Sequence, residues 1–183
     1  MYAALVRGAV SGDRNAMERL LMRAQEAAYR FSLLVCGHQE DAEDVMQDAL
    51  IRTYQHVRQL DDPGAFRTWL YTTVRNACLM KRRRRAGEPS HFVPLDGETE
   101  ARNRDVADTA KPADQRLVDA AVDERLRRAL GALPAAYRMI VVLREVEGLS
   151  TREVAMITGI SEANVKTRLH RARTLLRRQL EGV

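Results

Sequence analysis

The chain is predicted to be all-α: two small helical domains, an N-terminal helical bundle and a C-terminal helix-turn-helix domain, joined by a flexible linker. Three observations lead there. Large apolar residues recur at helical spacing on both sides of a polar middle, with no alternating run of strand length. That periodicity stops between Ala86 and Pro112. The closing stretch GLSTREVAMITGISEANVKTRLHRARTLLRRQL has the form of two short helices around a glycine turn. The expected bounds are 1–85 for the first domain, 86–112 for the linker and 113–183 for the second domain.

Met17, Leu20, Leu21, Ala24, Ala28, Phe31, Leu34 and Val35 fall on one helical face, and Gly37 is placed to end that helix. Ala42, Val45, Met46, Ala49, Leu50 and Val57 form a second stripe. Asp62-Pro63 follows, a capping residue with proline at the first helical position. The next helix turns Phe66, Trp69, Leu70, Val74 and Ala77 inward and runs out into Lys81, Arg82, Arg83, Arg84 and Arg85. The middle segment has Pro89, Pro94, Pro112, Gly87 and Gly97, mostly acidic charges and few large apolar groups. Such a segment cannot bury enough surface to offset its ordering entropy. Helical spacing resumes with Leu117, Val118, Val122, Leu126, Ala129 and Leu133. Pro134 interrupts it and starts a helix with Tyr137, Ile140, Val141 and Leu143.

Composition narrows the function classes. Thirty Lys and Arg against 25 Asp and Glu leave a net charge of +5, a weak pointer to a polyanionic partner. No apolar run approaches a membrane span and no signal-peptide pattern opens the chain, so a soluble cytoplasmic protein without direct membrane insertion is expected. Cys36 and Cys78 are isolated, with no CxxC or Cys/His cluster, and are expected as two buried thiols. No nucleophile–base pair, metal motif or phosphate-binding glycine loop occurs. An enzyme, a metal and a cofactor are therefore not expected.

The closing helix pair carries the most information. Ser150 and Glu153 have capping-box spacing, and Leu149 and Val154 stand where a hydrophobic staple would. Gly159 can take the left-handed backbone that ends the first helix, and Ser161 can cap the second. Val165, Leu169, Ala172 and Leu176 share an inward face. Asn164, Lys166, Thr167, His170 and Arg171 fall mainly elsewhere, the first three of them in the turns that meet base edges in a recognition helix. A basic solvated helix is the alternative; caps, glycine turn and apolar spacing together favour DNA binding.

The first domain offers two further surfaces. Asp41, Asp44, Gln47 and Asp48 form an acidic polar face, either simply solvated or a docking surface for a basic partner. Arg67, Tyr71, Thr72, Arg75 and Asn76 are expected on one outer side, near Phe66 and Trp69. Cations interleaved with aromatics suit single-stranded nucleic acid, although plain core is the favoured reading for each ring.

With these residues in view, the chain resembles the extracytoplasmic-function (ECF) group of bacterial RNA polymerase sigma factors. The resemblance rests on DAEDVMQDAL, FRTWLYTTVRNA and the basic tail, then on LPAAYRMIVVLREVEGLS, EVAMITGIS and NVKTRLHRAR. Met80 and Thr72-Thr73 depart from the usual pattern of the group. The resemblance implies docking on core RNA polymerase through the face holding Asp41, Asp44, Gln47 and Asp48. It implies opening of the −10 element, and retention of a flipped non-template base, by the loop from Asp61 and Asp62 to Ala65 and by Phe66, Arg67, Trp69, Thr72, Arg75, Asn76 and Arg82. It implies reading of −35 duplex by Lys166, Thr167, His170 and Arg171, next to Asn164. An anti-sigma factor is the further partner it implies. Two other readings stand beside it: a dimeric helix-turn-helix repressor or activator, for which the first 85 residues show no heptad seam, and an enzyme acting on nucleic acid.

Overall fold

The computed structural model describes residues 2–36, 38–86 and 125–181. All described elements are helical, and the chain divides into two compact units, one built on the described residues 2–86 and the other on most of residues 125–181. The expected linker beyond Ala86, the stripe residues Leu117, Val118 and Val122, and Gly37 lie outside the described residues.

The N-terminal unit has four α-helices: α1 (Tyr2–Val10), α2 (Arg14–Cys36), α3 (Gln39–His56) and α4 (Phe66–Ala86). Single 3-10 turns at Val57–Gln59 and Pro63–Ala65 bridge α3 and α4. α2 is the central helix and packs on the other three. Leu20, Ala24, Ala28, Phe31 and Val35 of α2 are buried, as are Val45 and Ala49 of α3 and Leu70 and Val74 of α4, the two helices that pack on α2 with α1. Phe31 meets Tyr71 edge-on at 5.4 Å between ring centres, an arrangement the ring quadrupoles favour.

α1 has no counterpart among the sequence expectations, because nine residues supply too few turns to show a period. It is fixed by burial of Val6 and Ala9 and by a close approach to α2 at Gly8. A Cβ built on Gly8 would lie 2.6 Å from the Cβ of Ala16. Gly8→Ala is therefore expected to destabilise this unit. Overpacking costs about 1–3 kcal/mol and outweighs the roughly 1 kcal/mol gained from better helix propensity. Chemical denaturation checks this, and a combined Ala16→Gly change should restore the loss. A Gly8→Ala protein more stable than the parent would show that the two helices can separate at no cost.

Cys36, the last residue of α2, and Cys78 of α4 form a disulfide with Cα atoms 5.2 Å apart. This corrects the expectation of two thiols. Both residues are buried as expected, but the packing of α2 on α4 brings them within bonding range, and spacing along the chain carries no trace of that.

The C-terminal unit contains α5 (residues 125–131), α6 (Ala135–Val141), α7 (Thr151–Thr158) and α8 (Glu162–Glu181). Pro134 begins α6 as expected. The carbonyls that end α5 are taken up by Arg138, whose Nη2 donates to Gly131 O at 2.6 Å and to Leu133 O at 3.1 Å. After α6 the backbone widens into a π-turn at Val142–Val146. The Arg144 guanidinium donates to Leu149 O, and Leu149 N–H donates to Leu143 O at 3.0 Å. These bonds hold the entry to α7, with Val142, Leu143 and Leu149 buried beneath it.

Candidate nucleic-acid interface

α7 and α8 form the expected helix-turn-helix. Ser150 N–H donates to the Glu153 carboxylate at 2.7 Å and Glu153 N–H donates to Ser150 Oγ at 3.2 Å, the reciprocal bonds of a capping box. Leu149 and Val154 are both buried at that corner. Gly159 has φ +75°, where a side chain would be strained, so the turn depends on glycine here. Asn164 N–H donates to Ser161 Oγ at 3.2 Å, which starts α8.

The two faces of α8 follow from its sequence. Val165, Leu169 and Ala172 are buried and Leu176 is half-buried. Asn164, Lys166, Thr167, His170 and Arg171, the five residues expected at the −35 duplex, are all exposed, away from the buried face of the helix. Thr167 Oγ1 donates back to Ala163 O at 3.0 Å. Arg173 is held by Glu145 of the π-turn at 2.6 Å, so this cation serves the packing of α8 as well as its surface charge.

On α3, Asp44, Gln47 and Asp48 are exposed along one ridge. Asp41, expected with them, is only 5% exposed; one turn earlier, its side chain turns into the bundle near the helix N-terminus, where the aligned peptide dipoles favour an anion. Asp44 pairs with Lys81 of α4 at 2.5 Å, which links the acidic ridge to the basic tail. Ile51 and Tyr54 continue the same ridge and are 55% and 62% exposed. Sequence reasoning missed them; the available signal was two large apolar residues lying off the inward stripe of an otherwise regular amphipathic helix.

α4 departs most from expectation. Asp62 caps the Pro63–Ala65 turn by accepting from Gly64 N–H at 2.8 Å, and Asp61 and Asp62 are exposed. α4 then begins at Phe66, which is fully buried, 5.4 Å from Tyr2 and 5.8 Å from Trp69 between ring centres. Arg67, Trp69, Thr72, Asn76 and Arg82 are half-exposed. Tyr71 and Arg75, expected on the outer side, are buried. Tyr71 fills the core against Phe31, and Arg75 Nη1 donates to Asn76 Oδ1 at 3.1 Å. Burial pushes the guanidinium pKa of Arg75 below its usual value, and the nearby charge of Arg83 adds to this; burial alone does the same for Arg82. Placing Tyr71 on the outer side failed because the helix turns a wider sector inward than its aliphatic stripe indicates.

Among the described residues no group of three His, Cys, Asp or Glu side chains is placed to hold a metal ion. No described helix is long and apolar enough to cross a membrane.

The Sigma-70 region 2 family model matches residues 17–88, and the Sigma-70, region 4 model matches residues 123–176. The ECF RNA polymerase sigma factor SigE of Mycolicibacterium smegmatis is 33% identical over 170 residues, covering 91% of this chain; the chain spans 63% of that relative's length. The ECF RNA polymerase sigma factor SigW of Bacillus subtilis is 30% identical over 178 residues, covering 94% of this chain and 92% of SigW. Among solved structures, CnrH in complex with the cytosolic domain of CnrY aligns with TM-score 0.67 and 26% identity, over 99% of this chain and 97% of that one. The sigma factor RpoE of Bartonella quintana, in complex with the anti-sigma factor NepR, shares the fold with TM-score 0.63 and 22% identity, over 90% of this chain and 96% of that one. Two matched regions in the right order and 30% identity to SigW over nearly the whole of both chains establish that the chain belongs to the ECF RNA polymerase sigma factor family.

Proposed function

We propose that the protein docks on core RNA polymerase and directs initiation at a particular class of promoter. α8 reads the −35 duplex, and the Asp61–Ala65 loop with α4 opens the −10 element. The observation that carries this reading is the side of α8 that exposes Asn164, Lys166, Thr167, His170 and Arg171 while Val165, Leu169 and Ala172 anchor the helix. Base contacts from such a helix specify, and its remaining cations position it on phosphates. On α4, Trp69 offers a partly open ring, Thr72 and Asn76 follow it on the same side of the helix, and Arg67 and Arg82 are half-exposed cations elsewhere on α4. Unpaired bases stack on aromatic rings while cations take the phosphates, so binding energy alone can hold a melted strand. Phe66 supports this ring from behind.

Asp44, Gln47 and Asp48, extended by Ile51 and Tyr54, form the docking ridge for core polymerase, with apolar anchors beside charges that steer. Asp48→Arg is expected to cut affinity for core polymerase at least tenfold while leaving thermal unfolding unchanged. Undiminished co-purification would remove this ridge from the interface. The structures of CnrH with CnrY and of RpoE with its anti-sigma factor support control of this chain by an anti-sigma factor, in the cytoplasm where the polymerase acts.

Run-off transcription with purified core polymerase and a promoter library tests the whole reading. Initiation from a defined promoter class is the expected result. No initiation on any template, together with tight two-fold-symmetric binding to duplex by the protein alone, would replace it with a conventional repressor.

A further inference from the structure

The region 2 match begins at residue 17, so α1 precedes it, while the alignment with CnrH takes in 99% of the chain. α1 is bound firmly to the unit. Tyr2 Oη donates to Arg23 O at 3.2 Å at its start, Gly8 lies against Ala16 near its end, and Val6 and Ala9 are buried between. The Asp13 carboxylate then accepts from Asn15 N–H at 2.8 Å and from Ala16 N–H at 3.2 Å, so the chain passes into α2 through a capped turn. α1 packs on both 3-10 turns and on α4, and the second turn and α4 carry the proposed single-strand site.

Three rings form a row across this contact. Tyr2 and Phe66 are 5.4 Å apart with planes tilted by 40°, and Phe66 and Trp69 are 5.8 Å apart with planes tilted by 33°. Phe66 is fully buried and cannot meet a base itself. Trp69 is the partly open end of the row. Phe66 is also the first residue of α4, directly after the turn capped by Asp62, so any shift of its ring moves both Trp69 and the end of the loop.

We infer that Tyr2 of α1 is a positioning residue for promoter opening: it holds Phe66 from behind, and through Phe66 sets the tilt of Trp69 and the end of the Asp61–Ala65 loop. This rests on the reading of Trp69 and that loop as the single-strand site. The physical cause is preorganisation. A ring supported on both sides does not have to be ordered when a base arrives, so stacking energy goes into holding the strand. Removing the Tyr2 ring frees one side of Phe66 and transfers that ordering cost to the step in which DNA opens.

The experiment uses the full chain with core polymerase on a promoter found by run-off selection. It compares closed duplex with the same promoter carrying a mismatched bubble over the −10 element. Tyr2→Ala is expected to reduce open-complex formation on closed duplex about three- to tenfold, the scale of one aromatic pair. Affinity for core polymerase should stay the same, and the bubble template should recover most of the initiation. Tyr2→Phe, which keeps the ring and loses only the hydrogen bond to Arg23 O, should restore most of the loss, and Tyr2→Leu, which fills space without a ring, should not. Open complexes at the parent level with Tyr2→Ala, while Trp69→Ala is defective, would overturn the role of α1 and leave the site in place. Parent-level opening with Trp69→Ala would overturn the site itself. Equal loss with Tyr2→Ala of core binding and of initiation on both templates would make Tyr2 a structural residue and also overturn the inference.

Discussion

Reduction of the Cys36–Cys78 bond is expected to destabilise the unit built on α1–α4 by about 2–4 kcal/mol. The bond closes a loop 42 residues long in sequence separation, and that loop contains all of α3. In the unfolded chain the crosslink removes many of the conformations that an open loop would sample, so its loss favours unfolding. Rearrangement of the folded unit should be local, because both cysteines lie among packed side chains and the freed thiols can separate by side-chain rotation. For a unit of this size, each kcal/mol moves the thermal midpoint by about 4–8 °C. The expected shift on adding reductant is therefore roughly 10 °C or more. Circular dichroism melting with and without reductant measures it. The double variant Cys36→Ala/Cys78→Ala serves as the reference, since its melting should not respond to reductant. Identical melting of the oxidised and reduced parent protein would show that helix packing alone holds α2 to α4. Serine is a poorer replacement, since it would place a hydroxyl at the fully buried position of Cys78.

The second large effect is expected on α8. Lys166→Ala and Arg171→Ala should each weaken recognition of the −35 element by about 1–3 kcal/mol where the contact is to a base. The double variant should lose close to the sum, unless the two side chains share one base pair. Both are exposed on the side opposite Val165, Leu169 and Ala172, so truncation removes no packing and should leave the fold intact. Holoenzyme binding to promoter fragments with single base changes distinguishes the possible roles. Loss of a base contact relaxes discrimination at one position, whereas loss of a phosphate contact weakens all fragments alike and lowers the salt dependence by about one ion. Arg173→Ala is the informative comparison. Its guanidinium is held by Glu145, so its removal should produce the uniform pattern. An unchanged footprint with the double variant would exclude α8 as the reading helix.

The helix-turn-helix was legible almost residue by residue because its determinants are local. A capping box, a glycine at a left-handed position and a hydroxyl cap act within three or four residues of themselves, and each formed where the sequence placed it. The inward face of α8 was legible for the same reason, since helical period alone assigns Val165, Leu169 and Ala172. The first unit was legible in outline only. Its apolar stripes placed the helices, but the exposure of Ile51 and Tyr54 and the burial of Asp41 depend on how α3 is rotated in the bundle. A rotation of a few tens of degrees is too small to shift a stripe visibly, yet it decides which flanking residues meet solvent. α4 shows the same limit: Tyr71 and Arg75 lie at the margins of its stripe, and packing drew both inward.

By itself the sequence determined the all-α class, the order of the helices after α1, the polar break between the two helical parts and the chemistry of the closing helix pair. Those depend on periodicity, capping and composition, which act over a few residues. Only the tertiary structure decided that α1 backs Phe66, that Cys36 meets Cys78, that Lys81 reaches Asp44 and that Phe66 lies behind Trp69. Each of these joins residues whose proximity is set by helix packing angles, and a packing angle depends on many side chains at once.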